Sequence, residues 1–107
     1  MHNLSPQMLQ EWLDDPARPS PLLLDVREPW EFEICHIAGA RLMPMQSVPL
    51  QAAELQPDAE IVVICHHGVR SRHVGVFLER NGFTRIYNLG GGVDAWANQV
   101  DHAMPLY

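Results

Sequence analysis

Short apolar runs alternate with helical patterns along this chain. Leu4-Ser5-Pro6 opens the first helical pattern, with Ser5 placed to cap it and Pro6 suited to its first turn. Met8, Leu9, Trp12 and Leu13 then recur on one face, and the prolines between Asp14 and Pro21 end the pattern. Leu22 to Val26 is a short continuous apolar run and predicts a buried strand. A brief helix is expected over Glu28 to Glu33, a second strand over Ala40 to Met43, and a short helix over Leu50 to Leu55. Ile61-Val62-Val63-Ile64 is the clearest buried strand. Helical spacing returns at Val74, Phe77 and Leu78 and stops at Asn81-Gly82. Arg85 to Leu89 predicts a further strand, Gly90-Gly91-Gly92 a tight turn, and Val93 to Asn98 a last helix. This alternation implies an α/β domain whose central parallel sheet is flanked by helices on both faces.

With 107 residues and no internal repeat or linker, one domain over 1–107 is expected. The net charge is −6, and seven arginines supply every fixed positive charge because lysine is absent. That balance argues against a nucleic-acid partner, and equally against an anionic membrane surface. No apolar stretch approaches the ~20 residues of a membrane span, and the first residues lack the pattern of a secretory signal. Two cysteines, Cys35 and Cys65, do not form a disulfide framework. A cytoplasmic protein with reduced thiols, working as a monomer, is the expectation.

Cys65 directly follows the most buried strand, and a helical pattern begins a few residues later. In a parallel sheet, ligands sit beyond the carboxyl ends of the strands. A loop there can turn successive N–H groups inward to form an anion-binding nest, with a helix start aimed at the same point. A cysteine in that setting is biased toward thiolate. An isolated cysteine after a buried strand is more often inert core. Here His66, His67, Gly68 and Arg70 follow within five residues, and such polarity suits a site better than a core.

Cys65-x-x-Gly68-x-Arg70-Ser71 resembles the active-site loop of the rhodanese family. Leu24-Asp25-Val26-Arg27, Glu31-Phe32, His36-Ile37-x-Gly39-Ala40 and Pro44 resemble its upstream signature. Asn81-Gly82-Phe83, Tyr87-Asn88-Leu89, Gly91-Gly92 and Trp96 resemble its later half. The chain departs from the family pattern at Cys35, where glycine is usual, and at Ala38, where proline is usual. The resemblance implies a rhodanese-like three-layer domain and a sulfurtransferase. It would move sulfane sulfur from a small donor such as thiosulfate to cyanide, a thiol or a protein dithiol, through a Cys65 persulfide and without a cofactor. His66, His67, Gly68, Val69 and Arg70 would bind substrate, with Asp25, Arg27 and Ser71 in support.

Within that picture Arg70 either binds the donor anion or clamps the loop through a carboxylate such as Glu28. Asp25 and Arg27 follow a strand end on the rim shared with Cys65, where an ion pair is the expected arrangement. His66 and His67 suggest zinc, but neighbours in a tight loop are expected to point apart, so no metal is expected. They are read instead as pH-dependent charge at the pocket mouth. The glycine run lacks the spacing and following strand of a dinucleotide site. Phosphatases and arsenate reductases on the related fold resemble C-x5-R, whereas Cys65 and Arg70 have four residues between them. A persulfide carrier serving a protein partner, with little thiosulfate turnover, is the other reading. Cys35 precedes the Ala40–Met43 strand, so it is expected at the opposite edge of the sheet from Cys65, out of disulfide reach.

Overall fold

A computed structural model describes residues 1–107. Five strands form one parallel sheet in the order β1-β5-β4-β2-β3: β1 His2–Leu4, β2 Leu22–Asp25, β3 Arg41–Leu42, β4 Ile61–Ile64 and β5 Ile86–Leu89. The helices are α1 Pro6–Asp14, α2 Pro29–Ile34, α3 Val48–Gln51, α4 Val69–Arg80 and α5 Gly92–Gln99. Period-two alternation in β4 divides the core. Val62 and Ile64 face a layer containing Leu9 and Trp12 of α1 and Val93 and Trp96 of α5. Ile61 and Val63 face the opposite layer, with Val48 of α3 and Val74 and Leu78 of α4. All four β4 residues are fully buried, as a strand covered on both faces requires. The three-layer α/β architecture read from the sequence is therefore present.

Local differences have local causes. β1 was not anticipated, because it has only three residues and two of them are exposed, so it carries no apolar run. Ser5 accepts from the Met8 amide at 3.1 Å and caps α1 as expected. β3 has two residues rather than four. α3 begins at Val48, earlier than expected, and continues as a 3-10 turn over Ala52–Glu54. No helix is long and apolar enough to cross a membrane.

The short β3 overturns the placement of Cys35. Arg41 and Leu42 pair with Leu24 and Asp25, the last two residues of β2, so the approach to β3 runs near the carboxyl edge of the sheet. The Cys35 carbonyl accordingly accepts from the Arg27 guanidinium at 2.6 Å, on the edge that carries Cys65. The two thiols still lie in different core layers, Cys35 with α1 and α5 and Cys65 with α3 and α4. Both are unbridged.

Candidate active site

β4 is central in the sheet and delivers Cys65 to its carboxyl edge, where the side chain is 1% exposed. The chain then turns through Gly68, whose φ of 99° lies in the left-handed region that glycine enters without strain. That turn points the Gly68 amide back at the Cys65 sulfur, with N···Sγ 3.0 Å. α4 begins at the next residue, Val69, earlier than its apolar spacing suggested. The amides of its first turn have no carbonyl partner within the helix. No backbone hydrogen bond uses the amides of His66 or His67 either. The far side of the loop is fastened by α5: the Val93 amide donates to the Cys65 carbonyl at 2.9 Å and the Asp94 amide to the His66 carbonyl at 3.1 Å. Gly92 makes that approach possible, since a methyl group there would strike both carbonyls.

A second contact to the sulfur comes from Ser71, with Oγ 3.3 Å from Cys65 Sγ. The Ser71 hydroxyl donates to the Asn88 side-chain carbonyl, so its oxygen faces the thiol as an acceptor. Asn88 in turn donates to the Gly68 carbonyl at 3.3 Å, tying β5 to the loop. The role of Asn88 was not anticipated. It belongs to the Tyr87-Asn88-Leu89 signature, and its position as a buried amide in a strand was the available signal.

Arg70 is engaged by a carboxylate. Its two terminal nitrogens bond the two oxygens of Glu31 at 2.6 and 2.8 Å, a bidentate pair that joins the loop to α2. The carboxylate partner is thus Glu31 and not Glu28. Glu31 Oε1 turns back to accept the Glu28 amide at 3.0 Å, and this aims the carboxylate at the loop. Bonding to Arg70 holds the Glu31 carboxyl down at about 2, against the opposing effect of burial. The same bond pushes the Arg70 guanidinium up. Tyr107, also unanticipated, donates its hydroxyl to Glu31 at 2.9 Å and accepts from Arg27 at 2.8 Å. Its own ionisation is pushed up to about 12, with burial the largest cause.

Asp25 and Arg27 form the ion pair read from the sequence, at 2.8 Å, with both side chains fully buried. Burial alone would lower the Arg27 guanidinium, but its bonds to Asp25 and Tyr107 outweigh that effect and push it up. Arg27 also donates to the Glu31 carbonyl at 3.3 Å, which joins this pair to the segment that carries the Glu31–Arg70 clamp.

His66 and His67 do not point apart. Their rings stack at 3.9 Å, and Tyr107 stacks on the other face of His66 at 3.9 Å. Asp94 brings a carboxylate oxygen 3.9 Å from His67 Nδ1, so His66, His67 and Asp94 place three donor atoms within 4.8 Å. Imidazole lone pairs lie in the ring planes. Two nearly parallel rings therefore direct them side by side rather than toward one ion. Burial and the neighbouring His67 lower the His66 pKa, so its positive charge appears only below the usual histidine range.

Residues 5–99 match the family model of the rhodanese-like domain. Over 106 residues the chain is 36% identical to a probable adenylyltransferase/sulfurtransferase MoeZ of Mycobacterium tuberculosis, covering 97% of this chain and 26% of that protein. The chain thus spans about a quarter of the length of that relative. It is 32% identical over 93 residues to the thiosulfate sulfurtransferase GlpE of Ectopseudomonas mendocina, covering 87% of this chain and 82% of that one. The crystal structure of a rhodanese-like domain protein from Staphylococcus aureus superposes with a TM-score of 0.84 at 28% identity, covering 94% of this chain and 95% of that chain. With a matched region that takes in four of its five strands and all five helices, the chain belongs to the rhodanese-like family.

Proposed function

We propose that the chain is a sulfurtransferase that carries sulfane sulfur as a persulfide on Cys65. One observation carries the reading: a buried cysteine at the carboxyl end of the central strand, its sulfur 3.0 Å from an inward-turned amide, in a loop with four residues between Cys65 and Arg70. In the first half-reaction the Cys65 thiolate attacks the outer sulfur of thiosulfate. The new S–S bond forms as the donor's S–S bond breaks, and sulfite leaves with the electron pair. In the second, a thiol attacks the terminal sulfur, leaves as a persulfide and returns Cys65 to its thiolate. With cyanide as acceptor the product is thiocyanate. Splitting the transfer in two is covalent catalysis, and ping-pong kinetics are its signature.

The loop amides from His66 to Arg70 supply donors for the negative terminal sulfur, in the manner of an oxyanion hole. Because both terminal nitrogens of Arg70 are engaged by Glu31, its role is to hold the loop's shape rather than to capture the donor. Ser71 contacts the Cys65 sulfur itself and helps orient it. The donor in this proposal is a small molecule, the acceptor a thiol or a protein dithiol, and the protein a cytoplasmic monomer. Intact-protein mass spectrometry after thiosulfate exposure tests the mechanism. One added sulfur, removed by dithiothreitol and absent in Cys65→Ser, is the expected result. An unmodified wild type, or a Cys65→Ser variant that still turns over, refutes it.

A further inference from the structure

Four of the seven arginines are paired with carboxylates: Arg18, Arg27, Arg41 and Arg70. Arg72, Arg80 and Arg85 have no such partner. Two of these three, Arg72 and Arg80, line the same cavity, a groove of about 780 Å3 that runs along the exposed face of α4. His67 and His73 join them in its wall, and no carboxylate lines it. At one end the groove reaches Gly68, whose amide touches the Cys65 sulfur, and Asn88, which holds Ser71. Near its margins, the Asp94 carboxylate is 3.9 Å from His67, and Glu79 is occupied by the Met1 amino group at 2.6 Å.

In a chain of net charge −6, a groove with two unpaired guanidiniums and no acid runs against the overall charge. Helical geometry sets its length. Arg72 lies three residues and Arg80 eleven residues beyond the first residue of α4, so at 1.5 Å per residue the two stand about 12 Å apart along the axis. Thiosulfate spans a fraction of that distance and has no part that reaches Arg80. A cavity of this volume falls in the range of small-molecule sites, roughly 300–1,000 Å3.

We propose that this groove selects the sulfur acceptor: it binds the tail of a low-molecular-weight thiol bearing two or more carboxylate or phosphate groups, with the thiol end directed at the Cys65 loop. The inference rests on the sulfur-transfer reading for the identity of the reacting group, but the binding of the tail stands apart from it. Charge complementarity argues for an anionic occupant, and the position of Gly68 at the groove's end fixes which end of that occupant reacts.

The test uses glutathione and its diethyl ester, which share a thiol and differ in two negative charges. Protein preloaded with sulfur is mixed with each, and the ratio of second-order transfer rates, acid over ester, is read. Two exposed charge pairs are lost in Arg72→Gln/Arg80→Gln, and the ratio should fall on the order of tenfold. Arg85→Gln, an exposed arginine outside the groove, should leave the ratio unchanged. The fall should shrink as salt is raised. A ratio near one in the wild type, or one equally sensitive to Arg85, overturns the proposal. Binding is read separately by titrating S-methylglutathione into Cys65→Ser and following amide shifts by NMR. Shifts along α4 that vanish in the arginine double variant support the groove even if no persulfide ever forms. Their absence overturns it, including in favour of an acidic protein segment as occupant.

Discussion

Replacing Glu31 with glutamine removes the charge of the loop clamp while keeping its shape. The carboxylate is 3% exposed and receives Arg70, the Glu28 amide and the Tyr107 hydroxyl. Bonded first of all to Arg70, it titrates at about 2 instead of 4.5. That lowering is equivalent to about 3 kcal/mol of folded-state stability. Because the folded-state pKa is depressed, the contribution is fully present above pH 4.5 and is lost as the pH falls through about 2. Arg70 is one-third exposed, so water screens part of the interaction and the expected loss in Glu31→Gln at pH 7 is about 2–3 kcal/mol. Urea denaturation of both proteins from pH 7 to pH 2 measures the gap. It should be widest at neutral pH and close toward pH 2. A gap that stays constant with pH would show that the loss comes from packing and that the ion pair contributes nothing net.

Gly92→Ala should destabilise the fold by more than about 2 kcal/mol and slow persulfide formation, since its methyl meets the carbonyls of Cys65 and His66; thermal melting and loading rate measure the two effects. Ser71→Ala should cost about 1–3 kcal/mol by leaving the buried Asn88 oxygen without its donor, and should lower the single-turnover rate of persulfide formation. Cys35→Ala removes a buried sulfur but no backbone contact, so about 1 kcal/mol of stability goes while turnover and persulfide lifetime stay near wild type. A rapidly formed Cys35–Cys65 disulfide on mild oxidation would contradict their separation into two core layers.

The parts of this fold that were legible in the sequence are those set by local pattern. Ile61–Ile64 read as a buried strand because all four residues are apolar, and the loop after it read as a site because its polarity is wrong for a core. Ser5 was legible as a cap for the same local reason. The clamp was legible only in outline. Arg70 needed a carboxylate, but its partner lies 39 residues away, and choosing Glu31 over Glu28 depends on how the first turn of α2 rotates the side chain. Tyr107, 76 residues from Glu31, carries no local signal at all. Cys35 lies elsewhere than the sequence suggests because a four-residue strand over Ala40–Met43 would begin at the amino edge, whereas β3 has only two residues. A two-residue strand paired at the far end of β2 reverses that inference.

The near-complete burial of the Cys65 sulfur also changes what a labelling experiment on this protein measures. A bulky maleimide cannot reach a side chain that is 1% exposed while the loop stays closed, and a slim alkylating agent needs a smaller opening. The maleimide reaction therefore depends on how often the loop opens, and the bonds from the Val93 and Asp94 amides are among those that hold it closed. When reclosing outpaces the reaction, the observed rate is the product of an opening equilibrium and the intrinsic reactivity of the thiol. Comparing a slim and a bulky alkylating agent on the same cysteine therefore turns the nucleophile into a gauge of how often its own cradle breathes.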